Sequence, residues 1–371
     1  MGPTRRNMTT GIFAAAMAGG LMPAGSAAGI DLAAAAARHG RYFGSAVRFT
    51  QLQAEPALRA AVLQDCAVLT PEVELKWDAV EPMPGAWSLA NIDGLIRFAL
   101  ESGKTVRGHT LLWHRSTPAW VEQRLREQRD WKLVARYFAA MIPRYGDTIA
   151  EWDVVNEPIE TGHRMDGLRR TVFLEAFGPD YIRRALAEAR ALAPRARLML
   201  NEYSLEYDNR EERDRRYLFL KLVEGLRRSG APLDGIGLQS HLDLRKGTVS
   251  TSSIAAFIKE LAGMGLAVVV TELDVKEAEY TAPADRRDRM AADEVRRYLD
   301  AVLAEPGVTG VVTWGLSDRH SWLEVLDEDY RRFPGAWQNG TGPGLNRGLP
   351  YDASMRRKPM YAAIEAALQA R

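Results

Sequence analysis

Ile149-Ala150-Glu151-Trp152-Asp153-Val154-Val155-Asn156, followed by Glu157-Pro158, reads as a strand that carries polar residues at its C-terminal end. Seven further β-branched or apolar runs are comparable: Tyr42 to Val47, Cys66 to Thr70, Thr105 to Thr110, Leu198 to Glu202, Gly235 to Ser240, Ala267 to Glu272 and Val308 to Trp314. Segments of helical periodicity lie between them, among them Ile92 to Glu101, Trp131 to Ile142, Tyr181 to Leu192, Arg213 to Arg228, Ile254 to Ala262 and Glu294 to Leu303, and Pro359 to Ala370 closes the chain. Such alternation is the pattern of repeated β-α units around a parallel sheet. Eight strands each followed by a helix is the count of a closed (β/α)₈ TIM barrel, an α/β fold, and the length agrees. No Pro/Gly/Ser linker or composition break divides the chain after about residue 40, so one domain over residues 29–371 is expected. The stretch from Ser317 to Arg357, rich in Gly, Pro, Asp and Trp, follows the eighth strand and is expected to lie over the barrel's C-terminal mouth.

The composition narrows the function classes. The chain has 371 residues, 46% hydrophobic and 26% charged, ordinary for a globular protein with a sizeable core. Lys and Arg number 49 against 48 Asp and Glu, a net charge of +1, which disfavours nucleic acid and anionic membranes as partners. The single cysteine, Cys66, excludes an intramolecular disulfide and a Cys-based zinc site, and its apolar neighbours point to a buried, inert thiol. His109, His114 and His241 lack an HExxH-type spacing and come from different strands, so neither a metal nor another cofactor is expected.

The first residues are set apart from the fold. Thr4-Arg5-Arg6-Asn7-Met8-Thr9 is a twin-arginine pattern, and the Ala/Gly-rich run from Gly11 to Met22 has the length of a signal h-region rather than a membrane span. Small residues at Ala24 to Ala28 would suit cleavage, so residues 1–28 are expected to be an export signal and the mature chain periplasmic or secreted. An N-terminal anchor or a tail is the alternative.

Strand C-termini in such a barrel all point to one rim, and the polar and aromatic residues gather there. The third strand leads into Arg107-Gly108-His109-Thr110-Leu111-Leu112-Trp113-His114, the fourth into Asn156-Glu157-Pro158, the sixth into Gln239-Ser240-His241, the seventh into Thr271-Glu272-Leu273-Asp274 and the eighth into Trp314. Glu157 and Glu272 are the candidate catalytic pair. Cleaving a glycosidic bond requires one carboxyl to protonate the leaving oxygen and another to attack or to activate water, and a separation of about 5 to 5.5 Å gives retention. His241, two residues past Gln239 on the same pleat face, is placed to hold the nucleophile ionised, and Asp274 to hydrogen-bond His241. A buried structural histidine and an ordinary loop aspartate are the plain alternatives. Trp77, Trp113, Trp314 and Trp322 are core residues or, for at least two of them, stacking platforms for sugar C–H faces; Trp152 is assigned to packing. Paired carboxyls of unlike role imply a bell-shaped pH profile.

Together these segments resemble glycoside hydrolase family 10, the endo-β-1,4-xylanases, from about Gly40 to Ala367. The likeness rests on Lys76-Trp77-Asp78 with Glu81-Pro82, Arg107 to His114, Trp152 to Pro158, Asn201-Glu202-Tyr203, Gly237 to His241, Thr271 to Asp274 and Thr313-Trp314-Gly315. It implies a retaining endo-acting hydrolase of xylan, working through a covalent glycosyl-enzyme intermediate, with Glu157 as acid/base and Glu272 as nucleophile. Asn156 would bond the 2-hydroxyl of the sugar being cleaved. Lys76, His109, Gln239, His241, Trp314 and Trp322 would line the non-reducing side, with Glu72 and Trp113 further out, and Tyr203 the leaving-group side. Two positions depart from the family pattern: Val73 stands where Asn is usual, and Arg115-Ser116 where a Gln is usual. Each lost amide removes a hydrogen bond to the sugar two places from the cut, worth roughly 1 to 3 kcal/mol of discrimination. A substituted xylan, a β-glucan or a bacterial exopolysaccharide is therefore the alternative substrate, and a non-catalytic glycan-binding barrel the alternative class. The partner is expected to be a polysaccharide, and the chain a monomer with no membrane association after signal cleavage.

Overall fold

The computed structural model describes residues 31–280, 282–323 and 346–370. Its strands are β1 (Tyr42–Val47), β2 (Val68–Pro71), β3 (Thr105–Gly108), β4 (Ile149–Asn156), β5 (Arg197–Glu202), β6 (Gly235–Leu238), β7 (His241–Asp243), β8 (Ala267–Lys276) and β9 (Val308–Thr313). All pairings between them are parallel, from β6 through β1 to β9 and β8, and β6 pairs β8 to close the ring. Eight staves thus form the (β/α)₈ barrel, while the short β7 runs beside β8 alone. The expected strands all appear, and the differences lie at their ends. Gly235 to Ser240 stops at Leu238 and breaks at Ser240, whose φ of 61° is left-handed, before β7 resumes the direction. β8 runs on past Glu272 to Lys276 because its last residues pair with β7.

The helices between strands form for local reasons. Residues Arg210–Arg228 start with the Asn209 side chain accepting from the amide of Glu212 at 3.0 Å, with acids in the first turn and Arg227 and Arg228 in the last. Capping and the helix dipole both favour that order. Thr171 and Ser250 cap Val172–Phe177 and Thr251–Gly263 in the same way. Among the described residues no helix is long and apolar enough to cross a membrane.

The floor of the barrel holds a buried ionic layer. Glu151 accepts from Tyr42 at 2.9 Å and Arg107 at 3.2 Å and also pairs with Arg197, while Arg107 reaches Asp153 at 2.7 Å. These side chains come from β1, β3, β4 and β5, so the layer ties four staves together. Gly108 is required where it stands, because a Cβ there would lie 2.3 Å from the buried indole of Trp152. Cys66 is buried, and burial pushes its thiol far up, which leaves it unreactive.

Residues 346–358 return to the barrel at the end of β8. Asn346 donates to the Val275 carbonyl at 2.8 Å, Arg347 pairs with Asp288 at 2.6 Å, and Lys358 pairs with Asp318 at 2.8 Å. Of the stretch expected at the mouth, residues 346–357 bond the C-terminal part of β8 and the turn after β9 but line no part of the cavity described below, whereas Trp322 does line it. Its remainder, with Trp337, and the proposed signal segment 1–28 lie outside the described residues, apart from Ser317 to Leu323.

Candidate active site

At the C-terminal mouth of the barrel lies a cavity of about 410 Å³ whose walls include both Glu157 and Glu272. Glu272 sits in a bulge. Val270 pairs with Val311 and Leu273 with Thr313, so Thr271 and Glu272 make one residue more than the facing strand. A bulge re-aims side chains, and here it turns a carboxylate of a central stave into the mouth. One of its oxygens accepts from Asn201 Nδ2 at 2.6 Å, and the other lies 3.1 Å from His241 Nε2. The Nδ1 of His241 is 2.8 Å from Asp274, whose second oxygen accepts from the Trp322 indole at 2.6 Å.

Charge follows from that chain. Burial alone would raise Glu272, but the His241 hydrogen bond, neighbouring His109 and Asn201 outweigh it and hold the carboxyl down at about 2. His241 is pulled the other way: burial opposes its charge, yet the two carboxylates raise it to about 10. At neutral pH the imidazolium donates to both acids, and Glu272 is an anion with both oxygens oriented.

Glu157 directly follows β4 with a φ of 56°, a strained conformation for a residue with a Cβ. Its amide donates to the Asn201 carbonyl at 2.8 Å. Arg169 then fixes the following turn, donating to the carbonyls of Glu157 (2.9 Å) and Ile159 (2.8 Å) and to the Tyr203 hydroxyl (2.9 Å). Gln239 Nε2 lies 3.3 Å from both Glu157 Oε1 and Asn156 Oδ1, and Asn156 accepts from Asn201 at 2.8 Å. A continuous set of amides, Gln239, Asn156 and Asn201, therefore joins the surroundings of one carboxyl to the other. His114 Nε2 is 4.0 Å from Glu157, and burial together with Arg169 and Arg115 lowers its ring to about 4, so it is neutral there.

The wall on the side of β1 to β3 is built from His109, Lys76, Glu72 and the indoles. His109 Nδ1 is 2.9 Å from Asp153, which Arg107 also holds, and its ring meets Trp314 edge-on at 5.2 Å. The Lys76 ammonium lies 4.7 Å from the Trp113 ring and 5.9 Å from Trp314. Trp322 is 46% exposed and packs 5.0 Å from His241, an accessible apolar face at the rim.

The structure brings Glu72, Lys76, His109, Trp113, Asn156, Glu157, Tyr203, Gln239, His241, Glu272, Trp314 and Trp322 into one cavity, with Asp274 buried behind His241. Trp77 is not there: it is 1% exposed, stacks on Tyr137 at 4.0 Å and donates to Glu81, so of the four tryptophans left open between core and groove it is core, while the other three line the cavity. His241 also arrives by another route than expected. The left-handed Ser240 interrupts the pleat, so His241 takes its direction from pairing with Asp274 across β7 and β8. Asn201, Arg169 and Arg48 were missed. Asn201 carried a signal, a polar residue at the end of β5; Arg48 and Arg169 sit in loops, and nothing in their sequence surroundings marks them.

A carboxylate kept ionised and a second carboxyl across a shared, aromatic-walled mouth define the class as a (β/α)₈ glycoside hydrolase. The family model described as glycosyl hydrolase family 10 matches residues 31–367. Endo-1,4-beta-xylanase A of Phanerodontia chrysosporium is 30% identical over 331 residues, covering 87% of this chain and 73% of its own. The endo-1,4-beta-xylanase of Agaricus bisporus is 30% identical over 328 residues, 87% of this chain and 90% of its own. Among solved structures, native xylanase 10B from Thermotoga maritima superposes with a TM-score of 0.78 at 26% identity, covering 92% of this chain and 98% of that one. The chain belongs to glycosyl hydrolase family 10.

Proposed function

We propose that the chain is an endo-1,4-β-xylanase that cleaves xylan with retention, Glu272 acting as nucleophile and Glu157 as acid/base. The observation that carries the assignment is the environment of Glu272: an anion oriented by Asn201 and His241 within the same cavity as a second carboxyl. In the first step a Glu272 oxygen attacks the anomeric carbon, the bond to the leaving oxygen breaks, and the Glu157 proton passes to that oxygen. In the second, Glu157 takes a proton from water, whose oxygen displaces Glu272 and restores the β configuration. Asn156, carried beside both groups, is suited to bond the 2-hydroxyl as charge develops on the ring. His241 and Asp274 support the nucleophile; Glu72, Lys76, His109, Trp113, Gln239, Trp314 and Trp322 receive the glycone, and Tyr203 the leaving group. Following anomeric configuration by NMR during xylan hydrolysis tests the scheme: β product first is expected, and α product would exclude it. Glu272→Ala should lower kcat by on the order of 10⁴-fold or more with the fold kept, and unchanged activity would remove the assignment.

Residues 1–28 act in this reading as a twin-arginine signal that exports a folded monomer. Replacing Arg5 and Arg6 by Lys should leave the chain in the cytoplasm. Light scattering on the exported protein should give one chain's mass.

A further inference from the structure

The flank of the cavity away from the leaving-group side carries two arginines whose side chains reach solvent. Tyr203 marks the leaving-group side, joined to the Glu157 turn through Arg169. Arg48, Lys76 and Arg115 also line the cavity, the Arg115 segment being tied to that of Lys76 where the Asp78 amide donates to the Ser116 carbonyl at 3.0 Å; Glu72, Glu272 and Asp78 act on Lys76, and Glu72 pairs with Arg48. Arg48 gives Nη2 to Glu72 at 2.5 Å yet keeps 41% of its side chain exposed. Arg115 is exposed and has no ion pair or hydrogen bond from its side chain among the described residues. Glu74 acts on Arg48 through space while its oxygens accept the backbone amides of Phe49 (2.7 Å) and Val73 (3.3 Å), so it does not cover the exposed part of Arg48. Val73 also lines this flank and offers a sugar hydroxyl no side-chain donor or acceptor. At Val73 the wall thus offers a neutral sugar no side-chain hydrogen bond, while Arg48 and Arg115 equip it to attract an anion, the Arg fork matching a carboxylate.

We propose that Arg48 and Arg115, beside the Lys76 that packs on Trp113, bind a carboxylate carried by the glycone, so that the groove selects β-1,4-glycans bearing uronic acid over neutral ones. This rests on the glycosidase reading above and names the substrate class of that same site. The carboxylate lies beyond the reacting sugar and takes no part in bond cleavage; its contribution is to affinity and register.

The test compares glucuronoxylan with the same polymer after chemical reduction of its carboxyl groups, which removes charge and keeps the chain. The native enzyme should show a higher kcat/KM on the acidic polymer, with an advantage that shrinks as salt rises. In Arg115→Gln, and separately in Arg48→Gln, the acidic-to-neutral ratio should fall by about tenfold, the scale of a lost charge-assisted hydrogen bond. Equal rates on the two polymers, or a ratio that neither variant moves, would overturn the anion site while leaving the hydrolase standing. If neither polymer is cut, the hydrolase reading fails, and calorimetry with a glucuronic-acid-substituted xylo-oligosaccharide on the intact chain then decides. Binding weakened by Arg115→Gln supports the carboxylate site, and binding indifferent to the carboxyl rejects it.

Discussion

At the residue scale, His241 is the side chain on which the charge of the site turns. It is bonded to Asp274 on one nitrogen and Glu272 on the other, and each acid raises it against the effect of burial. The depressed Glu272 favours the folded state above its ordinary value of 4.5, and that contribution is lost as pH falls toward about 2. The raised His241 works the opposite way: its contribution is full below 6.5 and is lost as pH climbs through about 10. Glu272, the proposed nucleophile, should thus stay ionised well into acid, and the acid limb of kcat/KM should lie below the usual carboxylate range. In His241→Gln that limb should move up toward 4.5, and a pH profile on a soluble oligosaccharide would show it. An acid limb unmoved by the substitution would mean that another group holds Glu272 down. The composition of this triad was legible in the sequence, since Glu272 and Asp274 alternate on one strand; the identity of Asn201 as its fourth member was not drawn from it.

At the scale of elements, two irregularities do what regular strands would not. The bulge in β8 presents Glu272, and the left-handed Glu157 at the end of β4 presents its carboxyl from the opposing side. Such backbone costs about 1–3 kcal/mol and persists only when its surroundings hold it. Arg169 is that support, with three hydrogen bonds to the turn and to Tyr203. Arg169→Met should therefore lower kcat by about tenfold or more, with KM changed less and the circular dichroism spectrum unaltered, because a small misplacement of an acid is costly to the reaction. An unaffected kcat would show that the turn holds itself. Helix Arg210–Arg228 offers a plainer test: Asn209→Ala removes its cap and should cost about 1 kcal/mol in urea unfolding. Strand positions were readable from apolar runs to within a few residues, but bulges and left-handed residues have no period, and the break at Ser240 passed unseen for that reason.

At the scale of the whole molecule, barrel closure is what makes the buried ionic layer and the mouth above it. Arg107 on β3 spans Glu151 and Asp153 on β4, and Asp153 in turn holds His109 beside Glu272. Removing one member of a buried set leaves the others uncompensated, so Arg107→Met should cost about 3–5 kcal/mol of unfolding free energy. Activity should also fall, because His109 loses a fixed partner. Full stability in denaturant would show that the layer is dispensable. The family match runs across the whole described barrel, so substrate differences belong to the walls of the mouth rather than to its frame.

The order of apolar runs and helical periods determined the barrel, because a chain of repeated β-α units has few other ways to bury its strands, and the rim rule then gathered most of the site from residues at strand ends. The tertiary structure decided the rest. Trp77 became core and Trp322 a rim residue although both sit among polar neighbours, since burial depends on what packs against a ring and not on what flanks it. Arg48, Arg115 and Arg169 converge on the cavity from loops distant in sequence, a nearness that only closure of the chain in three dimensions creates.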